Sequence, residues 1–306
     1  MHLFRKPLLA FADQPSVERF VRGRSFSQAM IARFVAGEHL DDAVGAVMKL
    51  RRLGITATLD QLGENVATVE EACAASTAYV GILERLATEG LEPNISIKLT
   101  MLGLDLGEET AYDNLMPILE STHRLGGFVR IDMEGSEYIE RTLRLFDAAH
   151  DRYPAEVGIV IQAYLHRARH DVERMIARRA RVRLVKGAYT EPEHVALQGR
   201  REVDDNFRRL MELLLDQGVY PANATHDPAL IEMAKQYTSA HRVPPDQFEF
   251  QMLYGVRRDA QVALVADGYR MRVYVPYGTE WYPYFTRRIA ERPANALFVL
   301  RQLISR

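Results

Sequence analysis

Two adjacent arginines near the C-terminus, Arg287 and Arg288, have the residue type and spacing of a carboxylate receptor. Pro283 suits the first turn of a helix, where its missing N–H costs nothing. On that helix, four residues at positions i, i+3, i+4 and i+7 share one face: Tyr284, Arg287, Arg288 and Glu291. Because the guanidinium fork matches a carboxylate in charge and shape, this face predicts a site for a substrate carboxylate.

An arginine pair alone is weak support for a site, because such pairs are typical of a solvated helix face. The chain has several others: Arg51-Arg52, Arg178-Arg179, Arg200-Arg201, Arg208-Arg209 and Arg257-Arg258. The tyrosine and Glu291 that accompany Arg287 and Arg288, and their place after the last strand-like run, favour a functional role. Arg257-Arg258 lacks the tyrosine and is interpreted as surface.

Short runs of β-branched and apolar residues alternate along the chain with segments of helical periodicity. Eight such units over about 230 residues match the count and size of a (βα)8 TIM-like barrel. The predicted strands are Ile55–Asp60, Asn94–Thr100, Phe128–Glu134, Val157–Tyr164, Arg181–Tyr189, Pro221–Asp227, Phe248–Gly255 and Met271–Gly278. The predicted helices between them include Val69–Ala87, Ile139–Tyr153, Asp171–Ala177, Val203–Gln217, Pro228–Tyr237 and Asp259–Ala266.

The sequence therefore predicts an α/β fold of two parts. An N-terminal helical segment spans residues 1–45 and includes a polar helix over Ser16–Ala36, and a barrel catalytic domain spans residues 46–306. A doubly wound sheet is the alternative. It would need about six strands and usually a glycine-rich first turn, and neither G-x-G-x-x-G nor G-x-x-x-x-G-K occurs here.

Every predicted strand ends in polar residues, where barrel enzymes place their chemistry. Part of this pattern is expected in any fold, because every strand must lead into a polar loop. Asp227-Pro228 also suits a helix N-cap followed by proline at the first helical position. The charged residues inside the predicted strands, Lys98, Asp132 and Lys186, are harder to explain that way. A charge buried without a partner costs several kcal/mol, so each needs a counter-ion or a ligand. Asp132 could pair with Lys98 or Arg130 and still serve a site.

Composition narrows the class of protein. The chain has 306 residues, 47% of them hydrophobic, and a net charge of -2 without a basic tract, so nucleic acid is not an expected partner. Its single cysteine, Cys73, excludes an internal disulfide or a thiolate zinc site and fits a reducing cytoplasm. No run approaches the ~20 apolar residues that span a bilayer, so membrane contact is expected to be peripheral at most.

At these residues the sequence resembles the proline dehydrogenase family in its monofunctional bacterial form. The resemblance extends from about Ser27 to Leu303, and its motifs stand at predicted strand ends or on the last helix. They are Ser96–Thr100, Arg130–Glu134, Arg183–Tyr189, Ala224–Asp227, Phe248–Gly255 and Tyr284-x-x-Arg287-Arg288-x-x-Glu291.

The resemblance implies a distorted (βα)8 barrel that holds FAD non-covalently and oxidises L-proline to 1-pyrroline-5-carboxylate. The residues at positions implied to be catalytic are Asp132 and Arg183. Those implied to bind the substrate are Lys98, Ala188, Tyr189, Leu253, Tyr274, Tyr284, Arg287 and Arg288. Those implied to bind the flavin are Met133, Gln162, Lys186, Gly187, Ala188, Thr225, His226, Gln251 and Glu291, and no metal is implied.

The resemblance also implies partners. Electrons pass to a membrane quinone, which suggests a cytoplasmic enzyme that contacts the inner face of the cell membrane peripherally. The sequence ends at Arg306 without the second catalytic domain of bifunctional relatives. A separate 1-pyrroline-5-carboxylate dehydrogenase is therefore expected to act on the product.

Three other functions fit parts of the sequence. A Schiff-base lyase of aldolase type would use Lys186 as the amine and Asp132 as proton shuttle. A metal hydrolase would use His226 and Asp227, but no H-x-H or H-E-x-x-H accompanies them. A non-catalytic amino-acid-binding barrel could use the same arginine pair without turnover.

Overall fold

A computed structural model describes the backbone of residues 32–290 and the side chains of residues 32–286. Eight parallel strands close into a barrel, each paired with its neighbours in chain order and β8 paired with β1. The predicted (βα)8 fold is confirmed. The strands are β1 (Thr56–Gln61), β2 (Asn94–Ile97), β3 (Phe128–Ile131), β4 (Val157–Gln162), β5 (Arg181–Val185), β6 (Ala222–Ala224), β7 (Glu249–Leu253) and β8 (Met271–Tyr277).

Helices surround the barrel, and their boundaries follow capping signals in the sequence. Thr68 accepts a hydrogen bond from the Glu71 N–H at 3.2 Å, and Asp227 accepts one from the Ala229 N–H at 3.1 Å ahead of Pro228. The predicted N-cap role of Asp227 is thereby confirmed. The helices are α1 (Leu40–Arg51), α2 (Val69–Thr88), α3 (Glu108–Leu125), α4 (Ile139–Arg152), α5 (Ala168–Ala177), α6 (Arg200–Gln217), α7 (Pro228–His241), α8 (Arg258–Ala266) and α9 (Trp281–Ala290).

Seven of the eight predicted strands were too long at their carboxyl ends, and only β1 extends beyond its predicted end, by one residue. Lys98, Asp132 and Lys186 each follow the last residue of a strand and do not lie inside it. After β2 the backbone turns at once, since the Met101 N–H bonds to the Lys98 carbonyl at 3.2 Å. Because the strands end just before these residues, the three charged side chains lie at the mouth of the barrel, where they can reach solvent or a ligand.

The interior of the barrel is unusually polar. Large charged side chains occupy space that bulky aliphatic residues commonly fill in this fold: Arg130, Arg183, Glu249 and Arg272 are all at most 5% exposed. Buried charges need partners. Arg272 and Glu249 are partners of this kind, because the Arg272 Nε donates to both oxygens of Glu249 at 3.1 Å.

The last helix departs from the regular pattern of a helix packed on the outside of the barrel. In α9, Trp281, Tyr282, Tyr284 and Phe285 form a second hydrophobic cluster with residues that follow β1 and β7, among them Leu62 and Val256. The helix therefore lies across the carboxyl end of the barrel. In the described residues, this position of α9 is the distortion of the (βα)8 barrel that the sequence led us to expect.

The N-terminal segment lies mostly outside the described residues, including most of the predicted helix over 16–36. Residues 32–34 are helical and the chain then extends, with the Ala36 N–H bonded to the Pro276 carbonyl at 2.8 Å. The predicted boundary between residues 45 and 46 falls within α1, whose buried face includes Ala43, Val44 and Val47. The division into two parts stays a prediction. Among the described residues, no helix is long and apolar enough to span a membrane.

Candidate active site

The carboxyl ends of the strands surround a cavity of about 600 Å³, here called the carboxyl-end cavity. A volume in this range suits a small-molecule or cofactor site. Its lining includes every predicted site residue whose side chain the structure describes: Lys98, Asp132, Met133, Gln162, Arg183, Lys186, Gly187, Ala188, Tyr189, Thr225, His226, Gln251, Leu253, Tyr274 and Tyr284. The structure thus brings these residues together, while their individual roles stay predictions.

Asp132 is held from two sides at the floor of this cavity. Arg183 donates from Nη1 to its Oδ1 at 2.8 Å, and the Tyr274 hydroxyl donates to its Oδ2 at 2.9 Å. Arg183 is fixed in turn by Ser96 at 2.9 Å and by Gln251 at 2.6 Å. Its guanidinium also lies 5.3 Å from the centre of the Tyr274 ring. Charge-assisted bonds of this kind fix the orientation of the carboxylate.

Lys98 pairs with Asp60, a residue to which the sequence assigned no role. The Lys98 Nζ lies 3.3 Å from Asp60 Oδ1, and both side chains are buried. Burial opposes the charge on Lys98, but the attraction of Asp60 and Asp132 outweighs it and holds the Lys98 pKa above its ordinary value. Burial raises the pKa of Asp60, and Lys98 offsets only part of this. The ammonium of Lys98 therefore stays charged beside the cavity.

Gln162 joins the loops that follow β3 and β5. Its Nε2 donates to the Glu134 carbonyl at 3.0 Å, and its Oε1 accepts from the Ala188 N–H at 3.4 Å. The Glu134 carboxylate accepts from Thr100, at 2.6 Å from the hydroxyl and 3.2 Å from the backbone N–H. These bonds hold the segment that carries Asp132 and Met133 at the cavity wall.

The Glu134 carboxyl predicts a pH effect on stability. Burial raises its pKa above the ordinary 4.5, and the hydrogen bonds from Thr100 offset only part of this. A raised pKa in the folded state contributes stability at low pH that is lost as pH rises through that pKa. Glu134→Gln imitates the protonated carboxyl. We expect wild type to lose free energy of unfolding relative to this variant as pH rises from about 4 to about 7.

Urea denaturation of both proteins at the two pH values measures this difference. Glu109→Gln, on the exposed surface of α3, is the matched control for replacing a carboxylate by an amide, and the difference for Glu134→Gln should change more with pH than the difference for Glu109→Gln. A constant difference between wild type and Glu134→Gln would contradict the prediction.

Lys186 lies between two carboxylates at the rim of the cavity. Its Nζ forms ion pairs with Asp204 and, at 2.9 Å, with Asp227. Arg200 also reaches Asp227, at 3.4 Å, and lines the cavity. Both aspartates hold the Lys186 Nζ in ion pairs, and an amine held in this way is not free to attack a carbonyl. This arrangement weakens the Schiff-base alternative, which needs a free amine.

Gly187 occupies a backbone conformation that a side chain would strain. Its φ is +123°, and a Cβ there would lie 2.3 Å from the Tyr164 ring. Glycine therefore allows the chain to turn after β5, beside Lys186 and against the Tyr164 ring. On the next strands, the His226 Nε2 accepts from the Leu253 N–H at 2.9 Å, which ties the loop after β6 to the end of β7.

The predicted carboxylate-binding face is described only in part. Tyr284 lines the cavity from α9, and Arg287 and Arg288 follow on the same helix. The side chains of Arg287 and Arg288, and all of Glu291, lie outside the described residues. Arg257 is not plain surface as predicted, because its Nη1 donates to the His226 carbonyl at 3.2 Å. Its left-handed backbone at φ 50° turns the side chain toward that loop.

Sequence reasoning missed several residues of the site. Asp60 was noted only as a polar strand end, and Arg200 only as one of many arginine pairs. Glu64 and Arg200 line the cavity, and Ser96 binds Arg183. The signal for Asp60 was present, since it is a charged residue next to the last residue of β1, as Asp132 is next to the last residue of β3. Within the described residues, no group of three or more histidines, cysteines, aspartates or glutamates is placed to hold a metal ion.

Comparison with known proteins identifies the family. The family model described as proline dehydrogenase matches residues 43–301. Proline dehydrogenase 1 of Bacillus subtilis (strain 168) is 45% identical over 274 residues, 90% of each chain. Proline dehydrogenase of Deinococcus radiodurans is 41% identical over 306 residues, 99% of this chain and 98% of the relative.

A solved structure agrees with the fold. The crystal structure of proline utilization A from Bdellovibrio bacteriovorus, inactivated by N-propargylglycine, superposes with a TM-score of 0.82 at 28% identity. The alignment covers 91% of this chain and 34% of that longer protein. With the family model and the two relatives above, these findings place the chain among monofunctional bacterial enzymes. The chain belongs to the proline dehydrogenase family, the oxidoreductases that carry out the first step of proline catabolism.

Proposed function

We propose that the protein oxidises L-proline to 1-pyrroline-5-carboxylate with non-covalently bound FAD and passes the electrons to a quinone. The observation that carries the proposal is the hydrogen-bonded cluster of Asp132, Arg183 and Tyr274, which lines the carboxyl-end cavity beside Lys98. Proline offers a carboxylate, a ring nitrogen and apolar CH2 groups. A receptor for it needs fixed cations, aromatic walls and exclusion of water.

The cavity suits a flavin in its donors and its shape. Gly187 lines the cavity, and its left-handed backbone lies against the Tyr164 ring, which a Cβ would strike. The side chains that would hold FAD are Met133, Gln162, Lys186, Thr225, His226 and Gln251, all of which line the cavity, together with Ala188. Glu291 is proposed from the sequence alone. When bound, FAD supplies the acceptor for the hydride that leaves the ring carbon beside the nitrogen.

The chain's own residues would bind and orient the substrate. Arg287 and Arg288 would hold the proline carboxylate, and the charged Lys98 would add to the attraction. The walls around the pyrrolidine ring would come from residues of four elements that meet at the cavity: Ala188, Tyr189, Leu253, Tyr274 and Tyr284. Aromatic and aliphatic walls exclude water, which strengthens the ion pairs inside.

Asp132 would act by holding its two donors in place. With Arg183 on one oxygen and the Tyr274 hydroxyl on the other, the carboxylate fixes a cation and a phenol at the reacting end of the cavity. Preorganised charges of this kind act where charge changes during reaction. Product formation removes a hydride from carbon and a proton from the ring nitrogen.

The proposed partners of the reaction are a second enzyme and an electron acceptor. Proteins from enteric bacteria that are 28–29% identical to this chain are named bifunctional PutA, and the aligned region is 24% of their length. We propose that a separate 1-pyrroline-5-carboxylate dehydrogenase uses the product here, and that a membrane quinone is reached by peripheral contact from the cytoplasm.

Absorbance spectroscopy of the purified protein tests the cofactor and the substrate together. We expect a yellow protein that releases FAD on acid precipitation and loses its flavin absorbance when L-proline is added under argon. Prolinamide, which lacks the carboxylate charge, is the matched control and should bleach the protein at higher concentration only. A colourless, folded protein that cannot take up FAD would remove the proposal.

Two further measurements address the alternatives. Proline-dependent reduction of a dye separates the enzyme from an amino-acid-binding barrel, which would bind proline without turnover. Borohydride treatment in the presence of substrate should leave Lys186 unmodified, whereas trapping of substrate on Lys186 would favour the lyase.

A further inference from the structure

A second cavity opens at the other end of the barrel and is here called the amino-end cavity. Its volume is also about 600 Å³. It lies where the strands begin, so the length of the barrel separates it from Asp132 and Lys98. Its lining residues stand at or just before the first residues of their strands: Gly54, Thr56, Glu92, Arg181, Tyr220, Arg270, Met271 and Arg272.

Arg181 holds a guanidinium in this cavity without an acidic partner among the described residues. The guanidinium lies 4.1 Å from the centre of the Phe128 ring and 4.5 Å from that of Tyr220. The aromatic faces fix its orientation. Its Nε is buried and has no hydrogen-bond acceptor in the described part of the chain. Burial lowers the pKa of Arg181, and Arg272 lowers it further, while Glu249 acts in the opposite direction.

Arg270 supplies a second cation at the rim. Its side chain is exposed, and its guanidinium lies 5.9 Å from the centre of the Tyr220 ring. Tyr220 has a φ of +45°. Non-glycine residues adopt this left-handed conformation at a cost. Tyr220 thus stands between the two arginines as a common aromatic support.

The nearby acids are already bound by another arginine. Arg272 donates to both oxygens of Glu249 at 3.1 Å and to both oxygens of Glu92 at 2.9 and 3.1 Å. The Tyr220 hydroxyl also donates to Glu249, at 3.2 Å. Glu92 and Glu249 are therefore hydrogen-bonded to Arg272, and in the described residues neither forms an ion pair with Arg181 or Arg270, although both favour the charge on Arg181.

We propose that the amino-end cavity binds a small anion of carboxylate or phosphate type, which bridges Arg181 and Arg270. The guanidinium fork matches either group bidentately. A ligand there would accept hydrogen bonds from the guanidinium groups of Arg181 and Arg270, which line the cavity, and would offset their positive charge. The site is separate from the one proposed for proline and does not depend on FAD or on catalysis.

The melting temperature of the full-length, flavin-loaded protein tests the site, with inorganic phosphate and malonate as probes. A ligand that binds only the folded state raises this temperature in a saturable way. The ionic strength is kept constant with potassium chloride, so that screening does not contribute. We expect a saturable rise with at least one probe. A response no larger than that to chloride would overturn the proposal, and the two probes distinguish a phosphate from a carboxylate ligand.

Variants locate the effect. Removing one charged hydrogen-bond donor should weaken binding by about tenfold or more. Arg270→Met and Arg181→Met should each shift the titration to higher anion concentration by that factor. Arg209→Met, on the exposed face of α6, should leave the titration unchanged. Because Arg270 is exposed, its variant tests the site even if Arg181→Met does not fold.

The predicted carboxylate site on α9 is the competing location. Arg288→Met should keep the full response to anions if the amino-end cavity is responsible. Loss of the response in Arg288→Met, with retention in Arg270→Met, would place the anion at the substrate site and refute the proposal.

Discussion

Arg287→Met and Arg288→Met are each expected to weaken proline binding by one to two orders of magnitude. A hydrogen bond to a charged group contributes roughly 1.5–3 kcal/mol, and about 1.4 kcal/mol is tenfold in affinity. Both residues follow Tyr284 on α9, at i+3 and i+4, and Tyr284 lines the carboxyl-end cavity. Anaerobic titration of the flavin absorbance with L-proline measures the dissociation constant directly.

Comparing the losses of affinity between variants and between ligands tests whether the arginines bind the carboxylate more sharply than the size of any one loss. Arg288→Lys should recover only part of the affinity, because an ammonium keeps the charge and loses the fork. Prolinamide lacks the carboxylate charge and should lose much less than proline in either methionine variant. Equal losses for proline and prolinamide would mean that the pair holds the helix or the flavin.

The control for these variants must be a true surface arginine. Arg257 is unsuitable, because it donates to the His226 carbonyl in the loop that lines the cavity. Arg209 belongs to the same kind of arginine pair and is exposed on α6. Arg209→Met should therefore leave proline binding unchanged.

Asp132→Ala is expected to lower kcat by at least about tenfold while FAD remains bound. Removing one preorganised charged group from a dry site costs about 10²–10³ in rate in well-studied cases. Here the change also frees the Arg183 guanidinium and the Tyr274 hydroxyl, which donate to the two carboxylate oxygens at 2.8 and 2.9 Å. Steady-state dye reduction gives kcat, and the visible spectrum gives the flavin content.

Two variants separate the charge of Asp132 from its hydrogen bonds. Asp132→Asn keeps a carbonyl acceptor and should retain more activity than Asp132→Ala. Tyr274→Phe removes one donor and leaves the Arg183 pair, so it should lose less than Asp132→Ala. Asp113→Ala, on the exposed face of α3, is the matched control. Unchanged turnover in a well-folded Asp132→Ala protein would reduce Asp132 to an ion-pair role.

The strands and helices could be predicted from the sequence because the signals for them are local. The alternation of apolar runs and helical periodicity identified all eight strands, and Asp227-Pro228 marked the start of α7 correctly. The exact ends of the strands were harder to predict from the sequence. Residues such as Lys98 continue the strand-like sequence pattern although the strand has already ended. The helices Leu40–Arg51 and Glu108–Leu125 were not among those predicted, and the second contains Pro117 in its interior.

The list of candidate site residues also came from local features and from resemblance to a family. Parallel strands in a barrel all end on one face, so polar residues at strand ends converge without any knowledge of their partners. This is why the described candidates line one cavity. Their roles, like those of Arg287, Arg288 and Glu291, stay predictions that the experiments above address.

Only the tertiary structure decided which charges pair. From the sequence, Asp132 could have paired with Lys98 or Arg130; in the structure it pairs with Arg183 and Tyr274, while Lys98 pairs with Asp60. These partners are 38 to 142 residues apart in sequence. Their contact depends on the register and closure of the barrel, which no short segment of sequence encodes. The closure of the barrel also places Arg181 and Arg270 around the amino-end cavity. The first residues of the strands converge at that end, just as the last residues of the strands converge around the carboxyl-end cavity.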